Sequence, residues 1–130
     1  MNKAREDGLR IFAEVYGEAA AAGAARHLEG DAFGVDQARW ALEFAFGTVW
    51  AREGIERKMR SAAVLGMLIG MRQEDEIVYH TKMGLANGLT RGELEEILLS
   101  AVPYCGLPAS NIAKAAMLRA FRELDEAGEG

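Results

Sequence analysis

Apolar positions along the chain recur at intervals of three and four rather than two, the spacing of helices that bury one face. Leu9, Ile11, Phe12, Val15 and Tyr16 form a broad stripe that predicts a first helix over residues 5–22. The Ala/Gly tract 19–25 reads as a fraying helix end or a flexible link. Gly30 and Gly34 bracket a turn before a second helix, about 35–50, with Trp40, Phe44 and Gly47 along one side. A third helix, 56–71, begins charged and becomes apolar on all sides, as central helices do. Its Gly66 and Gly70 stand four apart and permit a close helix crossing. A fourth, 73–87, ends at Gly88. Thr90 with Glu93 predicts a capping box opening a fifth helix, which stops near Pro103. Pro108 stands at the start of a last helix through about Leu124, and the tail 126–130 should fray. The fold class is all-α: about six helices in one domain, 1–130, with its core at about 5–124.

Composition narrows the possibilities. The chain has 130 residues, half of them hydrophobic, and 15 basic against 20 acidic residues give a net charge of −5. That apolar fraction is too high for a disordered chain. The acidic balance, with no Lys/Arg cluster, argues against nucleic acid or an anionic membrane as partner. A single cysteine excludes a disulfide framework and fits a reducing compartment. The charged N-terminus is no export signal, and the uncharged mid-chain run 61–71 is too short to span a bilayer. A cytoplasmic protein is expected.

The chemistry-bearing residues are few. Phosphate-binding glycine loops, H-E-x-x-H and C-x-x-C are all missing, and two widely separated histidines make a metal site within one chain unexpected. No cofactor is demanded. His80 lies mid-helix with Glu76 one turn before it and Gly84 one turn after. Glu76 would then set the imidazole's tautomer and raise its basicity, while the missing side chain at Gly84 leaves room beside the ring. The alternative is a half-buried histidine with one structural hydrogen bond. His27 is assigned to the surface. Cys105 stands near a helix N-terminus, either as a reactive thiolate or as a buried inert thiol. Arg60 is suited to a substrate carboxylate or to a surface ion pair. Phe44, Phe46 and Trp50 line a pocket or form ordinary core. Gly47, Gly66, Gly70 and Gly84 fall inside predicted helices at about 1 kcal/mol each relative to Ala, which implies close backbone approach or space for a ligand.

Three segments, in order, resemble the γ-carboxymuconolactone decarboxylase family: G-T-V-W-A-R-E-G-I-E-R-K-M-R-S (47–61), E-D-E-I-V-Y-H-T-K-M-G-L-A-N-G-L-T-R-G-E-L-E-E-I-L (74–98) and A-V-P-Y-C-G-L-P-A (101–109). The resemblance implies an all-helical fold that assembles as a homo-oligomer, commonly a trimer or hexamer. Relatives in the alkylhydroperoxidase-like branch carry C-x-x-C before the matching histidine. Here those positions are Gln73 and Glu76, so thiol peroxidase chemistry is not implied. Where the decarboxylases usually have an acidic residue in the first motif this chain has Thr48, which donates a hydrogen bond but is no general acid near neutral pH. Glu43 on the same helix is a substitute candidate.

What the resemblance implies is a cofactor-free decarboxylase of a small cyclic, lactone-type carboxylate. His80 is then the expected general acid and Glu76 its orienter; Arg60 is a carboxylate clamp, Thr48 a hydrogen-bond donor, Trp50 an apolar wall and Cys105 part of the substrate-binding set. Two other readings keep the fold: a different lactone or keto-acid substrate that exploits Thr48, or a non-catalytic small-molecule binder.

Overall fold

The computed structural model describes residues 2–128, and all regular elements among them are helices. They are α1 (Lys3–Tyr16), α2 (Glu18–Leu28), α3 (Val35–Trp40) with a π-helical continuation (Ala41–Trp50), α4 (Arg57–Met71), α5 (Glu74–Ala86), α6 (Arg91–Cys105) and α7 (Leu107–Glu126). The all-α expectation holds, with one helix more than expected; the end of the tail, 129–130, lies outside the described residues. The chain forms two compact units that divide after Ile55.

In the first unit the expected helix over 5–22 is two helices. Gly17, at φ 100°, ends α1 and starts α2, a conformation that a residue with a Cβ rarely adopts. The Ala/Gly tract is α2 itself rather than a link: alanine is the best helix former, and one internal glycine is tolerated. Arg39 ties α3 to the end of α2, donating from Nε and Nη2 to the Leu28 carbonyl (2.9 and 2.6 Å) and from Nη2 to that of Gly30 (2.9 Å). Those carbonyls would otherwise end a helix without partners. Leu28, Val35 and Leu42 form the buried cluster, and Phe12 meets Phe46 edge-on at 5.6 Å.

The π-helical stretch lies against α1 with almost nothing between the backbones. A Cβ on Gly8 would run into the Leu42 carbonyl, and one on Gly47 into the Ala4 carbonyl. Arg5 braces the crossing by donating from Nε (2.9 Å) and Nη2 (2.6 Å) to one Glu43 carboxylate oxygen. Trp40, Phe44 and Gly47 do not share a side as expected. Both aromatics are 66% exposed while Gly47 faces α1, because the wider π turn changes which residues stack above one another.

In the second unit α4, α5, α6 and α7 enclose Leu65, Ile69, Ile77, Val78, Leu94, Ala113 and Ala120, all nearly inaccessible to solvent. Each large side chain buried there contributes about 1.5–3 kcal/mol. The capping box forms as predicted: the Glu93 N–H donates to Thr90 Oγ1, and the Thr90 N–H to Glu93 Oε1, both at 3.0 Å. The fifth predicted helix continues past Pro103 to Cys105. A proline in the final turn forfeits one hydrogen bond, and Gly106 at φ 90° then ends α6 and begins α7.

Candidate functional site

Four of the six expected site residues belong to the second unit. Glu76 and His80 stand on α5 one turn apart, with 3.9 Å between Glu76 Oε2 and His80 Nε2. The Glu76 carboxylate is half-exposed, whereas the imidazole keeps only 19% of its side-chain surface. Burial pushes the His80 pKa below its ordinary 6.5, and Glu76 opposes that with a smaller upward pull. The expected gain in basicity is therefore reversed: desolvating the cation costs more than one half-exposed carboxylate returns. Near neutral pH the imidazole is mostly uncharged.

Gly84 does not leave space beside the ring. A Cβ there would lie 2.9 Å from Leu89 Cδ1, 3.7 Å from Leu65 Cδ1 and 3.8 Å from Ser61 Cβ, so the gap is filled by packing between α4 and α5. Arg60 precedes this seam by one residue on α4. Its neighbour Ser61 is fully buried against Gly84 and accepts a 3.0 Å hydrogen bond from Asn87 Nδ2. Arg60 Nε is buried and has no hydrogen-bond acceptor among the described residues. Arg60 thus stands beside the stretch of α5 that ends one turn after His80.

Cys105 lies elsewhere in this unit. Its Sγ is 3.9 Å from where a Gly70 Cβ would be, and it lines a cavity of about 260 Å³ with Gly66, Ile97 and Tyr104. Gly70 is ten residues beyond Arg60 on α4, about 15 Å along the axis at 1.5 Å per residue. The structure therefore separates Cys105 from Arg60.

Thr48 and Trp50 belong to the first unit. The single Thr48 hydroxyl proton is donated to the Glu43 carbonyl at 3.1 Å, five residues back, in the register of the π turn. The expected donor to substrate is thus engaged within its own helix. Glu43, the substitute candidate, is held by Arg5. Trp50 is buried at the end of the π stretch. Phe46 lines an apolar cavity of about 190 Å³ with Phe12, Leu28 and Leu42, and the exposed His27 stands at its edge. Among the described residues no three His, Cys, Asp or Glu side chains converge as a metal-binding group, and no helix is long and apolar enough to cross a membrane.

Sequence reasoning missed the glycine crossing at Gly8 and the ionic cluster on α5 and α7. Lys82 Nζ lies 2.7 Å from Glu123, and Arg119 bonds both Glu123 (2.8 Å) and Asp75 (3.2 Å). The hydrogen bonds from Lys82, then from Arg119, hold the Glu123 carboxyl down to about 2. The signal for Arg119–Glu123 was present as an i,i+4 pair; the partners on α5 are set only by packing.

A family model described as carboxymuconolactone decarboxylase matches residues 36–120. Over 124 residues the chain is 35% identical to a 4-carboxymuconolactone decarboxylase of Acinetobacter baylyi, covering 95% of this chain and 91% of that protein. Over 87 residues it is 38% identical to a nitrosuccinic acid decarboxylase of Metarhizium robertsii, covering 67% of this chain and 61% of that one.

Proposed function

Since this chain belongs to the carboxymuconolactone decarboxylase family and is a decarboxylase of that family, we propose that it removes CO2 from a small dianionic lactone acid of the γ-carboxymuconolactone type, using His80, Glu76 and Arg60. The observation that carries the site is the buried Arg60 Nε, a cationic donor without an acceptor among the described residues, one residue before the Ser61 that packs on α5. A carboxylate supplies what that donor lacks, in a charge-assisted bond stronger than a neutral one.

The chemistry follows from the substrate. The C–CO2 bond breaks, its electron pair moves into the unsaturated lactone, and negative charge gathers on the lactone carbonyl oxygen. A proton then arrives at carbon, giving the enol-lactone and CO2. The substrate carries its own electron sink, so the reading calls for no cofactor. His80 is mostly neutral in the free protein. A bound dianion pulls its pKa upward, so on binding the imidazole takes up a proton from solvent and His80 then delivers it to carbon. Glu76 orients the ring. Thr48 and Cys105 are left outside the proton path.

A second substrate is favoured by the likeness to the nitrosuccinic acid decarboxylase. A nitro group on the carbon that loses CO2 is also an electron sink, so the same three side chains serve a nitro dicarboxylate without a lactone. We further propose a cytoplasmic location, in keeping with the single cysteine, and a homo-oligomer, because each unit leaves large apolar side chains in solvent: Trp40 and Phe44 in the first, Met67 and Met71 in the second. Sedimentation should return a mass above that of one chain.

The test is CO2 release from freshly generated γ-carboxymuconolactone and from nitrosuccinate, with chelator present. Release from either assigns the substrate, and release from neither overturns both assignments. His80→Gln should lower turnover by about 100-fold or more while the assembly stays intact, and an unchanged rate overturns the role of His80. kcat/KM should fall as pH rises, with its midpoint below 6.5, because the acid form of a histidine with a lowered pKa is lost early.

A further inference from the structure

The second unit contains a cavity that the reaction does not use. It holds about 300 Å³ between the start of α6 and the middle of α7. Its apolar surface comes from Leu98, Met117 and Phe121, and Arg91, Lys114 and Glu95 supply the charges. The two cations differ. Arg91 lies over the Phe121 ring at 4.4 Å and gives one Nη2 contact to Asp125 at 3.2 Å, which leaves further guanidinium donors. Lys114 is exposed and enters no hydrogen bond or ion pair among the described residues. The lining is thus apolar, with two cations and the Glu95 carboxylate at its polar side, one of the cations already bonded to Asp125.

We infer that this cavity is a second ligand site, for an amphipathic monocarboxylate with a flat apolar body of about ten carbons. An apolar body covers Leu98, the exposed Leu118 and the ring edge of Phe121 and packs on the buried Met117, and its carboxylate meets Lys114 and the remaining Arg91 donors. The charge limit follows from the pairing: Arg91 is already shared with Asp125, Lys114 is the cavity's one cation without a carboxylate partner among the described residues, and a second anionic group would face Glu95. This preference separates the cavity from the Arg60–His80 site, whose proposed substrate is a dianion. The volume, roughly a dozen heavy atoms, excludes a peptide or a long acyl chain.

The experiment uses the full chain in its native assembly and 2-naphthoate as probe, followed by fluorescence and by amide shifts in a labelled sample. Saturable binding is expected, with shifts concentrated at Gly92, Leu98 and Met117. Neutral 2-naphthalenemethanol and the dianion 2,6-naphthalenedicarboxylate should each bind at least tenfold more weakly. Lys114→Glu should weaken 2-naphthoate at least tenfold and leave decarboxylation unchanged. Leu118→Asp, on the exposed lip of the cavity, gives a second substitution that does not depend on Lys114. Equal binding of the alcohol overturns the carboxylate assignment, and shifts centred on His80 or unchanged binding in both variants overturn the site.

Discussion

In the first unit the tightest contact is backbone on backbone: Gly8 and Gly47 each face a carbonyl across the crossing of α1 and the π stretch. In the second, Gly84 faces only the tips of Leu89 and Leu65 and a Ser61 Cβ, while Gly66 has nothing within 4 Å. These helix-interior glycines look alike in sequence but do three different things. A carbonyl in a hydrogen-bonded helix cannot step aside, whereas a leucine tip can rotate. The first unit is thus intolerant where its backbones cross, and the second keeps its intolerance in its aliphatic core.

Four substitutions sharpen or break this comparison. Gly47→Ala should be the most damaging, because the new methyl overlaps the Ala4 carbonyl and forces the helices apart. Overpacking typically costs about 1–3 kcal/mol, and a backbone obstacle puts the loss at the upper end, read as a shifted denaturation midpoint. A near-neutral result would mean that the crossing is not close. Gly84→Ala should change stability by no more than about 1 kcal/mol, since the strain on Leu89 is offset by the gain in helix propensity. A loss as large as that at Gly47 would erase the contrast. At Gly66 the sign should invert: open space and a helical backbone make Gly66→Ala stabilising by about 0.5–1 kcal/mol in thermal melts.

The smallest effect lies on the surface of the second unit. Glu123 is held near 2 in the folded chain against an ordinary 4.5, so its contribution is complete above pH 4.5 and fades as pH falls toward 2. His80 acts in a different window. Its lowered pKa lets the unfolded chain take the proton first, so stability begins to fall below pH 6.5. Glu123→Gln should flatten the limb between 4.5 and 2 and leave the one beginning at 6.5, as measured by denaturant midpoints across pH. Loss of both limbs would show that the two groups are coupled.

The second unit was the more legible half. Residues 56–71 and 73–87 were expected as helices and form as Arg57–Met71 and Glu74–Ala86, because the charge-to-apolar transition in the first and the glycine stop at Gly88 after the second are local signals. Thr90 and Glu93 announced their capping box directly. The break at Gly17 was not legible, since nothing nearby distinguishes a glycine that ends a helix from one like Gly23 that stays inside it. The π register was also hidden, because it depends on what the helix packs against. Of the candidate site, the Glu76–His80 pairing was readable from i,i+4 spacing; the direction of the His80 pKa was not.

By itself, then, the sequence determined the helical class, most boundaries of the second unit, the family and the adjacency of Glu76 to His80. All of these rest on residues within a few positions of one another, or on motifs read in order. Only the tertiary structure decided that burial outweighs Glu76 at His80, that the Thr48 proton and Glu43 are already engaged, that Arg60 Nε is buried without an acceptor, and which glycine meets a carbonyl. Each is a question of which atoms from distant segments displace water or occupy space. Desolvation and steric overlap are set by that three-dimensional neighbourhood, which no local spacing encodes.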